Sequence, residues 1–221
     1  MRILGIDEAG RGPVIGSLFM AGVVINKEDE ITLKEWGVKD SKLLSPKKRE
    51  ELYEQIIAKF PYKIIQVTPK EIDAVLSEDS ASNLNWLEAD HQAVIIDAMD
   101  CDQAIIDCPS PNTKGYGDVL KTKVTRKVDL IVENKADFNY LVVAAASIVA
   151  KVSRDRHIKA LQQELGFDFG SGYLTDQKTQ VFLHAHWKTH ARVFRTLWAP
   201  YKALASGTKQ QNLAEFSAKT I

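Results

Sequence analysis

The chain has 221 residues, with 29 basic and 29 acidic side chains, so its formal net charge at pH 7 is zero. This balance argues against a protein that coats nucleic acid through overall electrostatic attraction. The length suits one full-sized core with a small extension, and the apolar runs are too short to span a membrane. We therefore expect a cytoplasmic, monomeric protein.

The first predicted elements are two neighbouring strands at residues 2–7 and 17–26. Both stretches are apolar and rich in β-branched side chains, with glycines and a proline between them. A helix is predicted at residues 46–60, with Ser45 as its N-cap. A third strand follows at residues 62–67.

Strands and helices alternate along the following part of the chain. We predict a helix at residues 83–99, strands at residues 104–107 and 128–133, and an Ala-rich helix at residues 141–165, followed by a loop at residues 166–172. Strands first, and then strands alternating with helices, indicate a mixed α/β sheet with flanking helices.

Acidic side chains follow three of the predicted strands. Asp7 and Glu8 end the first strand, Asp107 ends the strand before Cys-Pro, and Asp137 comes after the strand at residues 128–133. Ligands of open α/β sheets gather at strand ends, so the fold can bring these acids together. Clustered carboxylates repel one another unless cations hold them, and hard divalent cations prefer oxygen ligands. The pattern therefore predicts a site for two divalent cations beside a phosphate.

The adjacent acids Asp7 and Glu8 have a second interpretation, because acids at a strand end are commonly solvated turn residues. Consecutive strand side chains also point to opposite faces. Both residues can serve one site only if the extended geometry breaks between them, or if Glu8 acts through its backbone carbonyl or a water. The glycines at positions 10 and 12 let backbone amides approach an anion.

Six short motifs follow one another between residues 5 and 173. They are Gly5-Ile-Asp-Glu-Ala-Gly-Arg-Gly12, Lys39-Asp-Ser-Lys42-Leu, Asp107-Cys-Pro-Ser, Glu133-Asn-Lys-Ala-Asp137, the run from Ala144 to Asp155, and Gly170-Ser-Gly-Tyr173. In this order they resemble the signatures of type 2 ribonucleases H, in particular ribonuclease HII. The resemblance implies an RNase H-like mixed five-stranded sheet with flanking helices and a helical C-terminal extension.

The resemblance also implies an activity. Ribonuclease HII is a Mg²⁺- or Mn²⁺-dependent endonuclease that cuts the RNA strand of RNA/DNA hybrids. It also cuts on the 5′ side of single ribonucleotides in duplex DNA, leaving 3′-hydroxyl and 5′-phosphate ends. Two other classes remain open: a DNA-directed nuclease of the same superfold, and a non-catalytic module that binds hybrids.

Particular residues match the family's functional positions. The metal-binding catalytic acids correspond to Asp7, Glu8, Asp107 and Asp137. The loop that grips the ribonucleotide's 2′-hydroxyl and the neighbouring phosphate corresponds to Gly10, Arg11 and Gly12, and the tyrosine that packs on the adjoining sugar to Tyr173. Further candidates for substrate binding are Lys42, Ser147, Lys151 and Arg154, although the last two could instead be solvated neighbours of Asp155.

Two details bear on the family match. Asp137 as the last acid, together with Gly-Arg-Gly in the loop, favours ribonuclease HII over ribonuclease HIII. The chain departs from the usual pattern at Ser17 and at Leu174, where proline is usual. The second departure could loosen the orientation of Tyr173.

We divide the chain into a catalytic domain at residues 1–175 and a basic extension at residues 176–221, whose short helices should break at Pro200 and near Gly207. No Asp or Glu occurs between Gln177 and Ala214. Basic side chains with interleaved aromatics suit either a surface that contacts a nucleic-acid backbone or amphipathic helices with snorkelling lysines. The basic residues are Lys178, Lys188, Arg192, Arg195, Lys202 and Lys209.

Three histidines in the extension suggest another kind of site. His186 and His190 would share a helix face at metal-ligand spacing, with His184 nearby. No acid or cysteine completes the set, so we favour contact with nucleic acid or simple surface exposure over a structural zinc site.

The tail resembles a sliding-clamp-binding peptide. Gln210, Leu213 and Phe216 have its spacing of a glutamine, an aliphatic and an aromatic residue, while Ser217 stands where a second aromatic is usual. Such peptides form a one-turn plug with apolar anchors. A frayed terminal helix is the alternative interpretation.

Overall fold

The computed structural model describes residues 1–77 and 79–207. In these ranges the strands form one five-stranded sheet in the order β3-β2-β1-β4-β5. The first three strands pair antiparallel, whereas β4 and β5 continue the sheet parallel to β1. The predicted mixed sheet is thus confirmed. The strands are β1 (Arg2–Ala9), β2 (Leu18–Asn26), β3 (Tyr62–Val67), β4 (Gln103–Asp107) and β5 (Asp129–Glu133).

Helices cover both faces of the sheet, and most of them were predicted. They are α1 (Glu30–Trp36), α2 (Pro46–Lys59), α3 (Pro69–Leu76), α4 (Leu84–Ala98), α5 (Thr113–Lys123), α6 (Ala136–Asn139), α7 (Leu141–Leu165), α8 (Gln177–His186) and α9 (Ala199–Ala205). Within the described ranges, no helix combines the length and the apolar character that a bilayer span requires.

The central strand β1 lies directly against α7. A Cβ built on Gly5 would come within 2.4 Å of the Val142 backbone, so only glycine permits this approach. The alanines Ala144, Ala145 and Ala146 of α7 are buried in the same apolar cluster as Ile3 of β1. Small side chains on both elements therefore explain why the Ala-rich helix packs so closely on the sheet.

Helices α1, α3, α5 and α6 were not predicted. Helix α1 buries only Leu33, too little for an apolar stripe to show in the sequence. Helix α3 begins with a capping box between Thr68 and Glu71, a signal that was present in the sequence. Helix α5 contains Gly115 and Gly117, which normally disfavour a helix, but the Asn112 side chain caps its first turn.

Besides the two apolar clusters on the faces of the sheet, a third apolar cluster joins the C-terminal segment to the loop that follows β1. Val14 and Ile15 of that loop pack with Phe182 and Phe194. Pro200 lies in the first turn of α9, where a missing N–H costs nothing, and so begins a helix instead of breaking one. The division into two domains at residue 175 stays a prediction. The last residues of the predicted extension, 208–221, lie outside the described ranges.

Candidate active site

Three carboxylates meet at one end of the sheet. Ile6 of β1 is the last residue that pairs with β4, opposite Ile106, so the next residues, Asp7 and Asp107, lie side by side where the two parallel strands separate. Asp137 approaches from α6, and carboxylate oxygens of all three aspartates lie within 4.8 Å of one another. Across residues 1–77 and 79–207, no other group of three or more His, Cys, Asp or Glu residues comes this close.

Local backbone geometry brings Asp137 to the strand ends. Lys135 adopts a left-handed conformation with φ of 61°, which turns the chain sharply after β5. The Ala136 amide then donates a hydrogen bond of 3.1 Å to Oδ1 of Asp107. This bond ties the start of α6 to β4 and fixes the orientation of the Asp107 carboxylate.

The cluster concentrates negative charge in a poorly solvated place. Burial, with a contribution from the negative charge of Asp107, raises the pKa of Asp7 to about 7. Burial also raises the pKa of Asp107, and the charge of Asp137 adds to the effect. The nearest cation is Lys42, whose Nζ lies 3.4 Å from Oδ2 of Asp137, but this lysine side chain is 77% exposed. An oxygen-only donor set with excess negative charge fits a hard divalent cation.

The Glu8 carboxylate does not join this cluster. Strand β1 stays extended through Ala9, with Asp7 opposite Ala21 and Glu8 opposite Met20, so the two side chains alternate. Burial and the charges of Asp7 and Glu88 raise the pKa of Glu8, whereas Arg11 lowers it. Glu8 could still contribute to the site of Asp7 through its backbone carbonyl or through a water, because neither requires its side chain to point toward the three aspartates.

The segment at residues 10–16, which we call the glycine loop, follows β1 directly. Gly10 and Gly16 have φ of 88° and 86°, conformations that favour glycine. Arg11 donates from Nε to Oε1 of Glu88 at 2.9 Å and from its terminal nitrogen to Oδ1 of Asn85 at 2.7 Å. Two residues of α4 therefore hold a guanidinium that is still 39% exposed.

Glu88 is a functional candidate that the sequence analysis missed. Its side chain is fully buried, and burial raises its pKa to about 7 against the opposing effect of Arg11. It shares the buried face of α4 with Leu84, Gln92 and Ile95. An acid on the apolar face of a predicted helix was the signal that could have found it.

Comparison with known proteins agrees with this geometry. The family model for ribonuclease HII matches residues 4–200. The chain belongs to the ribonuclease HII family.

Individual relatives resemble the chain over nearly its whole length. Ribonuclease HII of Thermococcus onnurineus is 38% identical, over 99% of this chain and all of its own. The crystal structure of ribonuclease H2 from Pyrococcus horikoshii OT3 has a TM-score of 0.85 and 35% identity, covering 96% of this chain and all of that one. The structure of the PCNA:RNase HII complex from Archaeoglobus fulgidus matches with a TM-score of 0.81 and 36% identity. The match covers 98% of this chain and 100% of that one. As a ribonuclease HII, the protein is an endoribonuclease of the ribonuclease H class.

Tyr173 lies beside the glycine loop. A Cβ built on Gly12 would lie 3.8 Å from the Tyr173 ring. Beneath the ring, the Arg154 guanidinium is centred 5.1 Å away and donates a hydrogen bond to the Ser171 carbonyl. Arg154 is only 2% exposed, so its position suits support of Tyr173 better than contact with a phosphate.

The other candidate substrate-binding residues differ in exposure. Lys42 is largely exposed beside Asp137, whereas Ser147 is buried and its hydroxyl lies 2.9 Å from that of Ser41. Lys151 is partly exposed and pairs with Asp155 at 2.6 Å. Lys42 and Lys151 are therefore accessible from solvent, whereas Ser147 is not.

The prediction that His186 and His190 share one face of a helix was wrong. Helix α8 ends at His186, and His190 lies in the turn that follows. The two rings meet edge-on at 5.1 Å, and His186 packs against Phe167 and Phe182. Their place in this aromatic cluster gives His186 and His190 a packing role.

The basic segment presents less free positive charge than its sequence suggests. Lys178 pairs with Asp168 and Arg192 with Glu164, both at 2.5 Å. Arg195, another of the basic residues, is completely buried. Acids from before residue 177 thus neutralise part of the surface that we expected to face a nucleic acid.

Proposed function

We propose that this ribonuclease HII cleaves the RNA strand of RNA/DNA hybrids and cuts on the 5′ side of single ribonucleotides in duplex DNA. The products would carry 3′-hydroxyl and 5′-phosphate ends. The observation that carries the proposal is the aspartate triad, whose oxygens lie within 4.8 Å of one another beside the glycine loop. A cation site next to exposed backbone suits hydrolysis of a phosphodiester that is recognised through its sugar.

We further propose that Asp7, Asp107 and Asp137 hold Mg²⁺ or Mn²⁺, with two ions in the active complex. Glu8 would contribute through its backbone carbonyl or a water. When bound, the ions supply positive charge that activates the attacking water and stabilises the leaving oxygen. The Ala136 amide keeps the Asp107 carboxylate in a fixed orientation, and Lys42 adds positive charge on the solvent side of Asp137.

The recognition of RNA would rest on the sugar. A 2′-hydroxyl is what distinguishes RNA from DNA at a given nucleotide, and backbone groups can read it without reading the base. The backbone at Gly10, Arg11 and Gly12 would contact this hydroxyl, and the Arg11 guanidinium the neighbouring phosphate. Tyr173, beside Gly12, would pack on the adjoining sugar. Cleavage should therefore be independent of base sequence.

Three substrates of one sequence test the proposal. An all-DNA duplex, a duplex with one ribonucleotide and an RNA/DNA hybrid are incubated with the protein and Mg²⁺. We expect the last two to be cut, with the nick 5′ of the single ribonucleotide and a 3′ end that a DNA polymerase can extend. Equal cutting of the all-DNA duplex would favour the DNA-directed nuclease. Binding of the hybrid with no cleavage by the wild-type chain would favour the non-catalytic module.

We also propose that a sliding clamp is a partner, and that the protein works as a cytoplasmic monomer in replication and repair. The structure of ribonuclease HII from Archaeoglobus fulgidus is a complex with PCNA. The residues that would bind the clamp, Gln210, Leu213 and Phe216, lie outside the described ranges.

The clamp proposal is tested with three single variants in a pull-down with purified PCNA. Phe216→Ala removes an apolar anchor and should weaken binding, whereas Ser217→Phe restores the usual second aromatic and should strengthen it. Lys219→Ala is the matched control and should bind as the wild type does. Equal binding by Phe216→Ala would contradict the proposal.

A further inference from the structure

Arg195 connects the C-terminal segment to the glycine loop through three hydrogen bonds. Its guanidinium donates to the carbonyl oxygens of Gly10, of Arg11 at 2.6 Å, and of Gly16 at 3.1 Å. The side chain is 0% exposed, so it cannot itself contact a duplex. One buried cation therefore binds three carbonyl groups of a segment that lies 179 to 185 residues earlier in the chain.

The backbone around Arg195 is fixed on both sides. Its amide donates to the Val14 carbonyl at 2.9 Å, and the Gly16 amide donates to the Val193 carbonyl at 2.9 Å. The ring of Trp198 lies 5.2 Å from the guanidinium carbon. The guanidinium consequently has a defined position relative to the loop that it binds.

Holding these carbonyl groups also sets the direction of two amide hydrogens. In a trans peptide the C=O and N–H bonds point to opposite sides, and no described peptide bond is cis. Because the Gly10 and Arg11 carbonyls face Arg195, the N–H groups of Arg11 and Gly12 face away from it. Neither amide has an acceptor within residues 1–77 and 79–207, and Gly12 is exposed.

We propose that Arg195 is a positioning residue for ribonucleotide recognition, which aims the Arg11 and Gly12 amides at an oxygen of the ribonucleotide's sugar. Successive N–H groups in a turn form a concavity that binds such oxygens. This inference rests on the proposed function, in which the glycine loop contacts the ribonucleotide. It assigns the C-terminal segment a part in substrate discrimination, in addition to any part in holding the duplex.

The shape of the arginine side chain is essential to this role. A guanidinium is a rigid planar fork with five N–H donors, so one group can reach three carbonyls. A lysine keeps the charge but presents a compact ammonium on a flexible stem. Arg195→Lys should therefore preserve the buried charge while releasing part of the loop.

Arg126→Lys is the matched control. Arg126 also donates to backbone carbonyls, those of Met99 and Cys101, but it does so at the end of β4 opposite Asp107. Both substitutions replace a guanidinium that binds backbone carbonyls with an ammonium. Only Arg195→Lys changes a side chain that contacts the glycine loop. A general loss of stability should appear in both variants.

The readout is the ratio of the Kd for an all-DNA duplex to the Kd for the same duplex with one ribonucleotide, measured in the Asp107→Asn background to prevent cleavage. We expect Arg195→Lys to lower this ratio about tenfold, mainly by weakening binding of the ribonucleotide duplex. With Asp107 restored, KM for that duplex should rise more than kcat falls. Arg126→Lys should leave the ratio unchanged.

An unchanged ratio in folded Arg195→Lys would overturn the role of Arg195 while leaving the proposed function intact. A ratio near one in the Asp107→Asn protein would instead overturn the proposed recognition of the ribonucleotide by the glycine loop, and this inference with it. If Arg195→Lys does not fold, amide NMR shifts of the Asp107→Asn protein test whether the two amides that Arg195 orients contact the ribonucleotide. The Arg11 and Gly12 signals should move with the ribonucleotide duplex and not with the all-DNA duplex, and equal shifts would contradict the inference.

Discussion

The aspartate triad and the glycine loop are adjacent, yet different interactions hold them in place. Asp7 and Asp107 take their positions from the register of β1 and β4, and Asp137 from a short turn after β5. The loop depends instead on a side chain from far along the sequence, Arg195, and on packing in the third apolar cluster.

This difference separates the chemistry from the recognition. The three aspartates, and the strands and turn that position them, all lie before α7 in the chain. The loop requires the C-terminal segment to be docked, because its carbonyl groups bind there. Substitutions in the two regions should therefore affect different steps, and the following predictions test that separation.

The largest effect is expected for Asp107→Asn. Replacing one carboxylate removes a charged oxygen ligand from the triad. Loss of an outer-shell partner already costs about 10- to 100-fold in metal affinity or activity, so loss of a direct ligand should lower kcat by about 10³-fold or more. Binding of a ribonucleotide duplex should be retained, because the glycine loop is unchanged.

Asp102→Asn is the control for that variant, since Asp102 precedes β4 at the opposite end of the sheet and accepts a bond from the Arg2 amide. Single-turnover cleavage and gel-shift binding measure the two steps separately. Near wild-type cleavage by Asp107→Asn would refute a catalytic role for the triad. Loss of binding together with cleavage would refute the separation of the two regions.

Glu88→Ala should have the next largest effect, and it tests how Arg11 is held. Removing a buried partner of an ion pair costs about 3–5 kcal/mol, and the 39% exposure of Arg11 reduces this to about 2 kcal/mol of unfolding free energy. KM for a ribonucleotide duplex should rise while kcat stays nearly constant, because Arg11 loses its orientation.

Glu88→Gln keeps an acceptor for Arg11 and is the matched comparison. Its stability and KM should lie much closer to those of the wild type. Urea denaturation and steady-state kinetics provide the two measurements. A selective fall in kcat for either variant would place Glu88 in the chemistry and contradict a role confined to recognition.

A smaller effect is expected for Asp7→Asn in metal-free buffer at pH 8. Removing one negative charge from a buried cluster relieves repulsion, so the variant should be more stable than the wild type by about 1 kcal/mol. Added Mg²⁺ should raise the melting temperature of the wild type and have little effect on the variant. Equal stabilisation of both proteins by Mg²⁺ would mean that the ion binds elsewhere.

The smallest effect is expected for Lys42→Ala. The lysine is 77% exposed, and exposed ion pairs contribute about 0–1 kcal/mol, so the unfolding free energy should change by less than about 0.5 kcal/mol. KM should rise only about threefold, with a weaker dependence on salt, as for loss of one phosphate contact. Lys39→Ala is the control, and a hundredfold fall in kcat for Lys42→Ala alone would assign Lys42 to the chemistry.

The sequence was sufficient to predict the sheet and the approach of three of the four acids, although not the exclusion of the Glu8 carboxylate. Apolar, β-branched stretches indicated the strands. A residue that follows a strand lies at the end of the sheet, so acids after three strands were expected to meet there. The short helix α1 and the glycine-containing α5 were missed because their stability comes from packing and capping that local composition does not show.

The support of the glycine loop could not be predicted in the same way. In the sequence Arg154 and Arg195 look like any basic residues that could contact phosphate, and only the fold shows that both are buried. Glu88 was within reach, since helical periodicity places it on the apolar face of α4. Burial of a charged side chain depends on a partner far along the chain, which local patterns do not identify.

The most direct test of the metal site is anomalous diffraction from crystals of the Asp107→Asn variant and of the wild type, each soaked with Mn²⁺. For the wild type we predict Mn²⁺ with carboxylate oxygens of Asp7, Asp107 and Asp137 within about 2.5 Å. The variant should show weaker or absent density at that position. Strong Mn²⁺ density elsewhere, with none among the three aspartates, would contradict the proposal that this triad holds the catalytic ions.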